Sequence, residues 1–397
     1  MKSGGTFCMM MLQHKRHQEE PPQMKTIAEI LGGAHILFPF SFDIQHAFEE
    51  YLTDEHRSFL TVLRVIEHAQ PCITACRART GRRPHKNEPI MRAFYARSHF
   101  RIATIVDLRN RLLTDPNLRT ICGFNAVPST ATFSRRFAAF SEQTPLTQTL
   151  DTLVTTYHEG HIVGHINRDS TGIKAREKPV KVERKPPTTA TPPRKRGRPR
   201  KGESRPDKEP TRLEQQLEED LATSVAQLPT ACAWGCKKNS QGNVETWKGY
   251  KLHLDVSDTG FPISALVTGA NVHDSQVAIP LEKMTEHKVQ HLYSVMDAAY
   301  DANPIETYIR GRGRIPLIDQ NTRRGTDRQP FTPAQKNRYK VRTTVERANA
   351  HVKDWLLPHQ IFVRGHMKVT FLLMCGVVVL AAVKALQYFI LPTLLKG

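Results

Sequence analysis

The sequence has few of the features that mark exported or zinc-stabilised proteins. Its seven cysteines cannot all pair internally and form no dense disulfide framework, so a reducing cytoplasm fits best. Cys72 and Cys76, and Cys232 and Cys236, share a C-x3-C spacing, but no partners follow in the rhythm of a zinc finger, which favours ordinary thiols. The apolar stretch Phe7–Leu12 is too short for a secretory signal, and no small-residue cleavage site follows it. No export is expected.

Long apolar runs and acidic residues are also scarce. The strongly apolar run Val369–Val383 is shorter than the ~20 residues that a membrane span needs, and Lys368 and Lys384 bracket it. We therefore expect a buried helix beneath a sheet. Against 38 acidic residues stand 57 lysines and arginines, which give a formal net charge of +19. Because this charge is spread over several segments, it points to a nucleic acid rather than a membrane surface.

Periodicity and composition divide the chain into predicted parts. Residues 1–25 are polar and are expected to form a disordered tail. Residues 26–158 have the apolar spacing of helices, and residues 159–391 alternate between strand and helix patterns. Residues 175–226 interrupt the second part as a basic, proline-rich insertion, for which disorder is the default. A helical domain followed by an α/β domain is predicted.

Two short helices around a tight turn are predicted in the helical domain. Asp115-Pro116 has the form of an N-cap followed by proline at the first helical position, and Ser129 caps the next helix. The pair resembles a helix-turn-helix unit, whose second helix here carries Arg135 and Arg136 as candidate DNA contacts. Helical hairpins that bind nothing are commoner, and the basic charge of the chain is what favours DNA.

The α/β part has a recognisable order of elements. Strand, hairpin, helix, strand, helix, strand, helix is the order of an RNase H-like domain, a mixed sheet covered by helices. In that topology Asp169 and Asp297 end neighbouring central strands, and Glu346 approaches them from a packed helix. The predicted elements are His161–Asp169, the hairpin Trp247–Val256 and Phe261–Thr268, Asp274–His287, His291–Asp297, Pro304–Arg310, Arg314–Ile318 and Arg338–Trp355.

The last of these, Arg338–Trp355, is predicted to be one helix of about five turns. A rotation of ~100° per residue gives it two unlike faces. One face places a carboxylate among cationic and phenolic donors, and these are Tyr339, Arg342, Glu346 and Lys353. The opposite face is an apolar stripe to be buried against a core, formed by Val341, Val345, Ala348, Val352 and Trp355.

Asp169, Asp297 and Glu346 are the candidate catalytic residues. Two-metal phosphoryl transfer needs a few hard oxygen ligands on a rigid frame, and three carboxylates on strands and a helix supply them. A single aspartate is more often a cap, a turn residue or a solvated charge, and this is the reading for Asp255, Asp258 and Asp301.

Within the insertion, Pro193–Gly202 resembles an AT-hook. The core of such a hook lies in the narrow minor groove of A·T-rich DNA, and here it would be Arg196, Gly197, Arg198 and Pro199. A generic basic linker is the alternative.

The spacing Tyr-x2-Arg-x3-Glu-x6-Lys resembles the YREK motif of bacterial insertion-sequence transposases of the DDE class. The resemblance extends from about Leu113 to Leu386, and its other matching segments are Arg168–Thr171, Gly249–His253, Asn271–Ser275 and Met296–Asp301. The family implies an RNase H-like catalytic domain, preceded here by an all-α, helix-turn-helix-like domain.

The resemblance also implies a function. It predicts a DNA transposase that hydrolyses DNA at the ends of its element and joins the freed 3′-OH to target DNA, using two Mg²⁺ ions with Mn²⁺ as a substitute. Asp169, Asp297 and Glu346 would be the metal ligands, and Tyr339, Arg342 and Lys353 would contact DNA near the scissile phosphate. The expected partner is double-stranded DNA, both terminal inverted repeats and target, bound by a homodimer or larger homo-oligomer in the cytoplasm at the nucleoid.

Two alternatives remain open. A non-catalytic, transposase-derived DNA-binding protein would keep the basic surfaces, although acidic residues at all three positions argue against it. A nuclease on the same fold would cut DNA without rejoining it.

Overall fold

The computed structural model describes residues 52–70, 85–180, 210–238, 241–321 and 329–396. Three expectations lie outside these ranges. They are the N-terminal tail 1–25, the Cys72 and Cys76 pair, and the AT-hook-like core of Arg196, Gly197, Arg198 and Pro199.

The described N-terminal part is helical, and local sequence sets the ends of its helices. The Asp115 carboxylate accepts a hydrogen bond from the backbone N–H of Leu118 at 2.9 Å, and Gly123 ends that helix in the left-handed region at φ 82°. The Ser129 hydroxyl caps the next helix by accepting from the N–H of Thr132 at 3.3 Å. The helices are α1 (Asp54–Ala69), α2 (Asn87–His99), α3 (Ile105–Thr114), α4 (Pro116–Cys122), α5 (Thr130–Gln143) and α6 (Pro145–His158).

A mixed sheet follows, and its strands are β1 (Ile162–Lys174), β2 (Ala233–Lys238), β3 (Val244–Val256), β4 (Pro262–Gly269), β5 (Gln290–Met296) and β6 (Ile315–Ile318). The strand order is β2-β3-β1-β5-β6, with β4 paired to β3. The central strand β1 is antiparallel to β3 and parallel to β5, and β6 is parallel to β5. This is the RNase H-like arrangement that the order of elements predicts.

The first strand is longer than predicted, and Asp169 lies within it rather than at its end. Pairing with β3 continues as far as Lys174 opposite Gly249, so the antiparallel ladder carries the strand onward. The parallel ladder with β5, in contrast, stops at Asn167 opposite Val295. Asp169 therefore lies just beyond the end of the parallel ladder, which is the feature that matters for the site.

Part of the predicted insertion is folded. Two short helices, α7 (Arg212–Glu218) and α8 (Leu221–Ala226), lie within residues 175–226, and the edge strand β2 comes directly after them. A capping box at Thr211 starts α7. The Gln216 side chain of α7 donates to the carbonyl of Gln276 at 2.8 Å, at the start of α9 (Ser275–Glu286). A composition rich in proline and charge did not reveal these tertiary contacts.

The apolar run near the C-terminus forms α13 (His366–Ala385), which is buried as expected. It packs against α2, α5 and α6 on one side and β4 on the other. Phe371 makes edge-to-face contacts with Phe94 and Phe137, with ring centroids 5.8 and 4.9 Å apart. The stretch His366–Thr393 is long and apolar enough for a membrane span by composition alone, but 78% of its most apolar window is buried inside the protein. The helical part and the sheet thus share one core.

The predicted helix Arg338–Trp355 is instead a longer helical run that changes its winding. It starts with α11 (Pro333–Tyr339), passes through a 3₁₀ turn (Lys340–Arg342) into α12 (Thr343–Ala350), and ends in a π turn (His351–Leu356). The remaining helices are α10 (Asn303–Gly311), between β5 and β6, and α14 (Leu391–Lys396), which follows a second π turn (Leu386–Ile390).

The change of winding corrects one part of the apolar stripe. Val345, Ala348 and Val352 are buried as predicted, but the Trp355 side chain is 71% exposed. A π turn takes more residues per turn than an α-helix, so a residue near its end is displaced from the face that α-helical spacing assigns to it.

Candidate active site

The three candidate carboxylates come from three elements that meet at one edge of the parallel ladder. Asn167 pairs with Val295, so Asp169 and Asp297 each lie two residues past the last pair. The Asp297 carboxylate also caps a 3₁₀ turn by accepting from the N–H of Ala299 at 3.0 Å. Glu346 lies on α12, whose buried face packs on β1 and β3.

The Arg342 guanidinium lies among these carboxylates. It donates to Glu346 and, at 3.5 Å, to Oδ2 of Asp297. Burial opposes its charge, yet Asp169, Tyr339, Asp297 and Glu346 together hold the pKa of Arg342 above its ordinary value. The DNA contact that the sequence predicts for this residue stays a prediction, and in the structure its guanidinium is the counter-ion of Asp297 and Glu346.

Asp169 is a partly buried acid with a perturbed pKa. Burial raises its pKa to about 6, against the pull of Arg342, and the neighbouring charge of Asp297 adds to the rise. The Asn349 side chain donates to Oδ2 of Asp169 at 3.1 Å. Sequence reasoning missed Asn349, although its position three residues after Glu346 places both on one side of the helix. That spacing was the available signal.

The donor set fits a hard divalent cation. Asp297 and Glu346 share the Arg342 guanidinium, and Asp169, whose pKa is raised chiefly by burial, interacts electrostatically with the same cation. Across the described ranges, no three His, Cys, Asp or Glu side chains are grouped closely enough to hold an ion. In this arrangement the Arg342 guanidinium lies between the carboxylates of Asp297 and Glu346.

The other predicted contact residues are placed as follows. Tyr339 is half-buried against Phe331, with ring centroids 5.1 Å apart, and burial raises its pKa to about 12. Lys353 lies in the π turn and is exposed, and within the described part of the chain no hydrogen bond or ion pair joins it to the carboxylates. On α5, Arg135 is exposed and Arg136 is half-buried, away from this cluster in the helical part.

A second ionic cluster lies on the opposite face of β1, because successive strand residues point to opposite faces. The Arg168 guanidinium makes a bidentate bond to Asp255, at 2.7 and 2.6 Å, and a third bond to Glu282 at 2.8 Å. Burial opposes the charge of Arg168, but these two acids raise its pKa well above the ordinary value. The cluster ties β1, β3 and α9 together.

Asp255 is therefore not the solvated charge that its sequence context indicated. It is fully buried, and it also accepts from the Thr285 hydroxyl at 2.6 Å. Asp258 and Asp301 fit the expectation better. Asp258 lies in the β3–β4 turn and pairs with His165, and Asp301 accepts from the N–H of Asn321 at 2.8 Å.

The motif residues near the start of α9 form a supporting contact. Lys251 donates to Asp274 at 2.9 Å and to the carbonyl of Val272 at 2.8 Å. Although burial acts in the opposite direction, Lys251 holds the pKa of Asp274 below its ordinary value. This pair joins β3 to the N-terminal end of α9.

A family model described as a transposase DDE domain matches residues 169–380, just over half of the chain. The matched span begins at Asp169 and includes Asp297 and Glu346. No curated protein and no solved structure matches the chain.

Proposed function

The chain belongs to the transposase DDE domain family, and from this premise we propose that it cuts DNA at the ends of its mobile element and joins the 3′-OH to target DNA by two-metal phosphoryl transfer. The observation that supports this proposal most is the convergence of Asp169, Asp297 and Glu346 around one guanidinium. Such a cluster is a poor way to stabilise a fold, because its members are partly exposed, and it is a suitable place for an exchangeable cation.

We assign the metal ligands to Asp169, Asp297 and Glu346. The family uses divalent ions, and Mg²⁺, with Mn²⁺ as a substitute, fits three carboxylates. When bound, the ions activate the attacking oxygen and stabilise the leaving one. Asn349 holds the Asp169 carboxylate in place, and a pKa of about 6 leaves that carboxylate mostly ionised at neutral pH.

In this proposal the cationic side chains bind DNA around the acids. Arg342 exchanges its carboxylate partners for a phosphate beside the scissile bond, with Tyr339 and Lys353 as further contacts. Arg135 and Arg136 on α5 and the AT-hook-like core at Arg196 and Arg198 bind DNA farther away. The partners are the terminal inverted repeats and the target, the active form is a homo-oligomer on DNA, and the place of action is the nucleoid.

The test uses the purified full-length chain and labelled duplexes from the DNA that flanks its coding sequence. With Mg²⁺ and a target plasmid, we expect strand cuts at the element ends and covalently joined products. Asp297→Asn is the matched control and should bind the same duplexes without cutting them. Cuts without joined products would identify a nuclease, and binding without cuts by the native chain would identify a non-catalytic DNA-binding protein.

A further inference from the structure

A polar pocket lies on the other side of α12 from the carboxylates. It is a cavity of about 240 Å³ between the β3–β4 turn, α12 and the end of α13. Arg347, the residue after Glu346, lines it together with His351, one turn further along the helix. Lys384 and Tyr388 close it from the C-terminal side.

The pocket holds more positive than negative charge. Its acid, Asp258, is already engaged, because the side chain and backbone N–H of His165 both contact its carboxylate, at 2.7 and 3.1 Å. Among the described residues, Arg347 donates to the carbonyl of Thr343 and Lys384 to the side chain of Gln387. The Lys384 ammonium also lies 5.3 Å from the centroid of the Tyr388 ring. In the described part of the chain, neither cation has an ion pair.

The cations also disfavour one another. Burial lowers the pKa of Lys384, and the charge of Arg347 lowers it further. Burial likewise lowers the pKa of His351, with Lys384 as the second cause. Cations that share a cavity, lack acidic partners and repel each other form a preorganised site for an anion, because an anion would relieve the repulsion without rearrangement.

We propose that this pocket binds one phosphate group of the DNA backbone. Arg347 and Tyr388, whose side chain is 44% exposed, lie at the rim of the pocket, where a polymer can reach them. A site for a small free anion does not require such an exposed rim. The pocket and the acidic cluster flank the same helix, so a duplex held at one site passes close to the other. That the polymer is DNA rests on the proposed function; the anion site itself does not.

The test is a salt titration of duplex binding by the full-length chain, followed by fluorescence anisotropy. Arg347→Gln and Lys384→Gln remove charge and keep most of each side chain. Each should reduce the slope of log affinity against log salt by roughly 0.9, the value for one phosphate contact. The double variant should lose no more than either single one, because both residues hold the same phosphate. Lys384→Arg should restore the native slope.

Arg310→Gln is the matched control, since Arg310 is an exposed cation on α10, remote from the pocket. Slopes that equal that of the control would overturn the proposal. The proposal would also be overturned if inorganic phosphate stabilised the protein against thermal unfolding while the DNA-binding slopes of the variants stayed native. That outcome would identify a site for a small anion. A chain that never cuts DNA but shows the pocket-dependent slope would retain this inference and lose the proposed transposition.

Discussion

The two faces of β1 carry two versions of the same chemical group, an arginine held between acids. On one face Arg168, Asp255 and Glu282 are almost inaccessible, with side-chain exposures of 1%, 0% and 0%. On the other face Arg342, Asp297 and Glu346 are exposed by 18%, 34% and 49%. Arg168 binds Asp255 through two bonds, at 2.7 and 2.6 Å, whereas Arg342 contacts Asp297 at 3.5 Å and holds Glu346 more closely.

The difference in exposure separates an ion-pair cluster with a structural role from one whose partners can be exchanged. A buried ion pair cannot give up one member without leaving an uncompensated charge in a medium that cannot solvate it. A partly exposed pair can exchange partners, because water and ions take up the charge that is released. Arg168 and Asp169 are adjacent on β1, and because their side chains point to opposite faces of the sheet, each cluster forms on its own face.

The largest expected effect is on catalysis at the exposed cluster. Asp169→Asn, Asp297→Asn and Glu346→Gln each remove a metal-ligand charge at nearly constant volume, so DNA strand cleavage should be abolished while DNA binding stays largely intact. The measurement is cleavage of labelled element ends in Mg²⁺, with Asp301→Asn as the control. Robust cutting by one of the three variants would remove that residue from the site.

The next effect is on stability at the buried cluster. Arg168→Met leaves Asp255 and Glu282 buried without their cation and should lower the free energy of unfolding by about 3–5 kcal/mol. Arg342→Met, the equivalent change on the other face, should cost less than about 1 kcal/mol. Urea unfolding of both variants measures the contrast. Equal losses would mean that exposure does not distinguish the two clusters.

A smaller effect concerns pH. An unfolded aspartate ionises near pH ~3.9, whereas burial raises the pKa of Asp169 to about 6. Between these values the folded chain binds more protons than the unfolded one, so the free energy of unfolding falls as pH rises through this window. Asp169→Asn cannot ionise and should gain about 1–2 kcal/mol at pH 7 relative to the native chain, after allowance for solvent screening. Unfolding at pH 4 and pH 7 without divalent ions is the measurement, and parallel pH profiles of the two proteins would contradict it.

The smallest effect is on metal binding without DNA. Arg342→Gln removes the cation that competes for the carboxylates, so Mn²⁺ should bind several-fold more tightly in calorimetry. Asp297→Asn should bind it more weakly, and Arg310→Gln should leave it unchanged. If Arg342→Gln binds Mn²⁺ no more tightly than the native chain, then the guanidinium does not occupy the place of the metal.

Local sequence predicted the features that depend on neighbours along the chain. The caps at Asp115 and Ser129 and the order of strands follow from short-range hydrogen bonding and periodicity, and both are present. Features that depend on distant partners were missed. Asp255 is buried because Arg168 meets it across the sheet, and β1 continues past Asp169 because β3 pairs with it. The roles of the candidate site residues remain predictions.

Winding was the second source of error. The exposure of Trp355 depends on a π turn whose extra residue leaves no mark in the pattern of apolar positions. The same regular spacing was assumed for Lys353, which the structure leaves outside the ion pairs of the acidic cluster. The face that carries Arg342 and Glu346 lies before the π turn, and there the helical count holds.

The position of α13 determines when the protein can fold during its synthesis. Ribosomes make the N-terminal helices first, but Phe94 and Phe137 meet their partner Phe371 only after the whole sheet has been translated. Until residues 366–385 emerge, the apolar faces of α2, α5 and α6 lack the surface that covers them. Closure of the core therefore waits until α13 has been synthesised, and the nascent helices are exposed to aggregation until then.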